Sequence, residues 1–181
     1  MKFWHALSLF GVAALGYLLM ASPAYAFKPV SAQELNERQI AIGGYDPVAY
    51  FKEGAAVKGS PLLTYQWLGA TWYFRTHEYR RLFMADPTRY APAYGGYCAF
   101  CMQAEREVQS AGDPTVFLVR NGRLYLLQDE ETKALWEASP DVYIAQADAR
   151  YEELLRQYRE IVGGEGADSR RSAVATTLAA D

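Results

Sequence analysis

The chain is predicted to fold as a small α+β domain, in which hairpins and helices follow one another in separate runs and a long helix closes the sequence. Two pairs of aromatic and β-branched runs each close over a glycine-bearing turn, the signature of antiparallel hairpins. Two longer segments begin at a capping residue and carry apolar residues at helical spacing. Nothing alternates strand and helix in the manner of a parallel βαβ sheet. An apolar fraction of 51% in 181 residues supplies enough buried surface for one domain.

The elements follow in order. Lys2 precedes an apolar run over residues 6–20, and Ala24-Tyr25-Ala26 follows Pro23. This predicts an export signal over residues 1–26, cleaved after Ala26. The run is shorter than the ~20 residues a membrane span needs. No Cys stands at the cleavage site to take a lipid, so the mature chain is expected to be soluble, in a bacterial periplasm or secreted. Loss of Lys2 makes the formal charge one unit more negative than −3. No basic block is present, so nucleic acid is not an expected partner.

Residues 27–41 form a lead-in, where Ser31-Ala32-Gln33-Glu34 fits a capping box and predicts a helical turn. The main domain is expected over residues 42–162. Asp46-Pro47 reads as an N-cap followed by Pro at the first helical position, giving a short helix over 47–51 that Gly54 ends. Strands over 63–68 and 71–74 flank Gly69-Ala70. Thr76 caps a helix through Tyr79, Leu82 and Phe83 to Ala85. Asp86-Pro87 ends it and opens a turn toward Tyr90. Strands over 115–119 and 124–127 flank Asn121-Gly122, the strongest hairpin dipeptide. Ser139-Pro140 starts a long helix through Ile144, Tyr151, Leu154, Leu155 and Tyr158 to about residue 161. Residues 163–181 are small and polar and read as a disordered tail.

The only cysteines are Cys98 and Cys101, in Gly95-Gly96-Tyr97-Cys98-Ala99-Phe100-Cys101-Met102. Three chemistries suit such a pair: a local disulfide, a dithiol redox couple, or soft ligands for a thiophilic metal. An oxidising compartment favours a static disulfide. A redox couple gains from a helix N-terminus, which lowers a thiol pKa, but the βαβ setting of thioredoxin-like enzymes is missing here.

Several segments, in order, resemble the exported YHS domain-containing proteins. They are Gly44-Tyr45-Asp46-Pro47-Val48-Ala49-Tyr50-Phe51, Val57-Lys58-Gly59-Ser60, Gly69-Ala70-Thr71-Trp72-Tyr73-Phe74, Asp86-Pro87-Thr88-Arg89-Tyr90-Ala91-Pro92 and Tyr94-Gly95-Gly96-Tyr97-Cys98-Ala99. The resemblance covers residues 42–125. It implies a fold related to the TRASH metal-binding domains, whose short relatives occur beside copper-transporting ATPases. In those short versions three thiolates stand where this chain has Ala49, Arg75 and Tyr79. The usual metal cluster is therefore missing.

A relocated site remains, in which Cys98 and Cys101 share a helical face, Met102 adds a thioether, and His77, the only His beyond the leader, lies at the helix start near the family's metal cluster. Sulfur donors of this kind select Cu(I), and copper is the expected cofactor if any binds. A tetrahedral zinc site needs four donors, which the chain does not obviously offer. The bland counterpart places His77 on the surface and Met102 in the core.

No order of residues suggests an enzyme. Asp46, Glu53, Glu78, Asp86 and Asp113 lack partners in a catalytic pattern and read as surface carboxylates. Tyr45, Tyr50, Trp67, Trp72, Tyr73, Phe74, Tyr90, Tyr94 and Tyr97 are expected to form an aromatic core, with a ligand pocket as the competing use. The leading expectation is an exported, non-enzymatic accessory protein holding copper at the Cys pair. The alternatives are a thiol redox protein and a ligand or protein-interaction module with a structural disulfide.

Overall fold

The computed structural model describes residues 28–35, 38–103 and 110–178, with the backbone alone for 32–35, 38 and 163–178. The export signal lies outside the described residues. The fold is α+β.

A four-stranded sheet has the order β1 (Ala32–Leu35), β2 (Arg38–Ala41), β4 (Ala70–Phe74), β3 (Ser60–Trp67). Its central pair, β2 and β4, runs parallel, and each outer pair runs antiparallel. The capping box at Ser31 does not start a helix. Its residues form β1, because Ala32 to Leu35 pair with Ala41 to Arg38 and sheet pairing overrides a four-residue local signal. Leu68 and Gly69, both at positive φ, turn β3 into β4, one residue earlier than Gly69-Ala70.

The second sheet is a hairpin of β5 (Asp113–Arg120) and β6 (Arg123–Leu127), turning at Asn121-Gly122 with φ of 51° and 75°. Strand β6 is the wall between two cores. Leu124 and Leu126 face a first core built on Trp72, Phe74, Phe83 and Tyr50, whereas Tyr125 and Leu127 face a second one with Trp136, Tyr94, Met102 and Leu154. The two-residue period of a strand sends alternate side chains to opposite faces, so an unbroken apolar run is buried on both sides.

The first core is covered by α1 (Ala49–Lys52), α2 (His77–Ala85) and α3 (Pro87–Tyr90). Thr76 caps α2 by accepting from the Tyr79 N–H, and Asp86 caps α3 by accepting from the Arg89 N–H. The second core is covered by α4 (Ala99–Met102), α5 (Glu130–Ala138) and α6 (Pro140–Leu178). Helix α5 had no counterpart among the sequence expectations. Its start is a capping box of Asp129 and Thr132, and Trp136 is its one buried anchor. Helix α6 does not stop near residue 161 at the start of a disordered tail. It continues through Gly163, Gly164 and Gly166 to Leu178, where Ala167, Arg170, Arg171, Ala173 and Ala175 are strong helix formers that offset the glycines.

Candidate functional site

The turn from Pro92 to Cys98 joins the two cores and carries the thiol pair. Tyr94, Gly95 and Gly96 all have positive φ, and the chain then enters α4 with Cys98 as its N-cap. Residues 28–31 cross over this turn. The Ser31 N–H donates to the Gly95 carbonyl at 2.9 Å, and the Tyr97 and Tyr151 hydroxyls donate to the carbonyls of Lys28 and Pro29. A Cβ on Gly95 would meet the Pro29 carbonyl oxygen at 1.9 Å, so this close crossing requires glycine.

Cys98 and Cys101 form a disulfide across α4, with Cα atoms 5.2 Å apart. Cys98 is 0% exposed. Its N–H donates to the Ser110 carbonyl, and its backbone bridges to Leu126 of β6. Cys101 is half-buried, near the Gln128 side chain at 3.6 Å. Met102 is buried in the second core with Tyr125 and Trp136, which is the packing use of a thioether. His77 is exposed at the start of α2, beside Arg80, Arg81 and Met84. Among the described residues no three His, Cys, Asp or Glu side chains assemble into a group able to hold a metal ion, so His77 does not join the two sulfurs. The residues as they stand do not fit copper, since a bridged pair offers no thiolate and the thioether is packed away.

Ala49, Arg75 and Tyr79 belong to the core or to a polar network. Ala49 is fully buried. The Arg75 guanidinium pairs with Glu53. The Tyr79 phenol is raised above its ordinary pKa, by burial first and then by its hydrogen bond with Glu53. Beside them lies Asp46, which is no surface carboxylate. It is 0% exposed and accepts from the N–H groups of Val48 at 2.9 Å and Arg75 at 2.6 Å. Burial raises its pKa, and these backbone bonds pull it partly back.

The aromatic residues divide between core and cleft. Trp72, Phe74, Tyr50 and Tyr90 lie in the first core. Trp67, packed against the first core, and Tyr94, buried in the second, also line a cleft of about 860 Å³, together with Leu68, Tyr151, Leu155 and Tyr158. The volume lies in the range of small-ligand sites. On one wall the Arg123 guanidinium makes a bidentate bond to Asp148, at 2.8 and 3.1 Å, and the Tyr94 hydroxyl donates to the same carboxylate at 3.0 Å. Burial pushes the Asp148 carboxyl up, but the Arg123 and Tyr94 bonds outweigh it and leave the pKa below its ordinary value. Burial, above all, raises the phenols of Tyr94 and Tyr151, so both stay protonated donors.

Sequence reasoning singled out Trp67 and Tyr94 but not this cleft, because its other walls come from α6 and the segment preceding β1. The i, i+4, i+7 spacing of Tyr151, Leu155 and Tyr158 is the available signal: it predicts one apolar helix face but not what that face meets. A comparison of the chain with protein-family models, with curated proteins and with solved structures gives no match.

Proposed function

We propose that this chain is an exported, non-enzymatic binding module of YHS type, in which the Cys98–Cys101 bridge is structural and the cleft beside it is the working surface. The observation that carries the reading is the closed bridge with Cys98 sealed against β6. A copper donor pair needs both sulfurs free and within reach, and a redox couple works best with its attacking sulfur exposed; here Cys98 has no exposed surface and only the half-buried Cys101 can be approached. Export agrees with the bridge, because disulfides persist outside the reducing cytoplasm. The bridge closes the first turn of α4, whose N-cap Cys98 is held to β6 by its backbone, directly after the turn whose Tyr94 and Gly95 line the cleft.

The test is thiol labelling of the protein recovered from exporting cells, followed by Cu(I) titration read by native mass spectrometry. No free thiol is expected before reduction, and no stoichiometric copper on the oxidised protein. The Cys98→Ser/Cys101→Ser variant should fold and lose roughly 2 kcal/mol or less, since the bridge closes a very short loop. Two free thiols holding one Cu(I) per chain would replace this reading with the copper one. A pair that cycles at the potential of the glutathione pool would replace it with thiol redox work.

A further inference from the structure

The walls of the cleft differ in what they leave unsatisfied. Its apolar part is ring and aliphatic surface from Trp67, Leu68, Tyr151, Leu155 and Tyr158. The phenols of Tyr94 and Tyr151 are already committed, to Asp148 and to the Pro29 carbonyl, so these two residues contribute aromatic surface. Of the charged residues, Arg123 and Asp148 satisfy each other. Asp86 is engaged as the cap of α3, accepting from the Thr88 hydroxyl at 2.7 Å and the Arg89 N–H at 3.1 Å.

That leaves Arg89, Arg159 and Glu152. The guanidiniums of Arg89 and Arg159 form no hydrogen bond or ion pair among the described residues, although Arg89 lies over the Tyr90 ring at 5.7 Å. Each carries five N–H donors in a planar fork whose geometry matches a carboxylate or phosphate. The cleft lining is balanced in charge, with three arginines and three carboxylates, and Asp86 feels the Arg89 charge, but the forks of Arg89 and Arg159 make no direct hydrogen bond or ion pair among the described residues and stand open beside a hydrophobic surface.

From this we infer that the cleft binds a free amphipathic anion, with a carboxylate or phosphate head held by Arg89 and Arg159 and an apolar body lying on Trp67, Leu155 and Tyr158. The assignment rests on reading the domain as a binding module and names the ligand class of that module. A fork-to-carboxylate contact is charge-assisted and roughly twice as strong as a neutral hydrogen bond, so affinity depends on the head carrying charge. The apolar body adds burial without direction, so its exact shape matters less.

The experiment uses the full mature chain with dodecanoate and dodecyl phosphate below their micelle concentrations, dodecanol as the neutral analogue, and vesicles of anionic phospholipid as a separate arm. Calorimetry or Trp67 fluorescence reads binding. Saturable binding of both anions is expected, at least tenfold tighter than dodecanol. Arg89→Gln/Arg159→Gln should remove that tenfold preference and leave dodecanol binding and the melting temperature unchanged. Leu155→Glu should weaken all three probes.

If dodecanol binds as well as the anions, or the Arg variant keeps the preference, the anion assignment is overturned while the binding-module reading survives. Binding to vesicles but to no free amphiphile overturns it in favour of a membrane surface. No saturable binding of any probe overturns this assignment and the cleft as a working surface together.

Discussion

Asp46 shows how much one side chain can organise. Its two carboxylate oxygens accept from the backbone N–H groups of Val48 and of Arg75, the latter 29 residues from Asp46, tying the start of α1 to the end of β4. A carboxylate offers acceptors only, which is what two converging donors require. In Asp46→Asn the amide keeps one acceptor and turns an NH₂ group toward the other donor. One buried N–H is then left unsatisfied, at about 1–3 kcal/mol. Chemical denaturation should show that loss with an unchanged m-value, and a variant as stable as the parent would refute the two-donor account. The raised pKa gives the wild type a further property. Because the folded carboxyl holds its proton above 3.8, its contribution is fully present below that pH and is lost as pH rises through the folded value. Asp46→Asn should lack this component.

At the scale of elements, the docking of α6 on the second hairpin is partly electrostatic. Arg120 pairs with Asp141, and Arg123 with Asp148, joining the two ends of the β5–β6 turn to one face of the helix about two turns apart. Asp148 has a lowered pKa, so its stabilising share is present above 3.8 and is lost as pH falls through the folded value. The melting temperature of Asp148→Asn should therefore lie below that of wild type at neutral pH and converge with it in acid. A gap that is the same at both ends of the pH range would show that the residue acts through shape alone. The elements themselves were largely legible. Asn121-Gly122, Thr76 and Asp86-Pro87 each placed a turn or cap where local chemistry decides the backbone. The lead-in failed because Ser31 to Glu34 carries a local helix signal that only a distant strand partner overrules. Helix α5 was missed because a single buried Trp136 leaves little periodicity to read.

The whole molecule is two cores sharing one strand, with the joint crossed by residues 28–31. The thiol pair and a local disulfide as one of its uses were legible in the sequence, but the burial of Cys98 against β6 was not. Nor was the cleft, because it exists only where α6, the residues before β1 and the 92–98 turn meet. Gly95 tests this joint. A methyl there faces two penalties, a positive φ of 63° and the Pro29 carbonyl oxygen at 1.9 Å. Gly122 has φ of 75° but nothing within 4 Å of a Cβ, so it carries the first penalty without the second. Gly122→Ala should cost about 1–2 kcal/mol for its left-handed backbone. Gly95→Ala should cost clearly more, because rigid backbone on both sides must separate. Its excess over Gly122→Ala measures how strongly the crossing holds the joint. Hydrogen exchange should show that excess as faster exchange at the Ser31 amide, whose bond to the Gly95 carbonyl is broken when the segment lifts. Pro29 and Val30 line the cleft, so the same variant should weaken dodecanoate binding, while Gly122→Ala, which also borders the cleft but displaces no neighbour, should weaken it less. Equal costs and equal exchange in the two variants would mean that the crossing contributes nothing to the joint and that the two cores are held together by β6 alone.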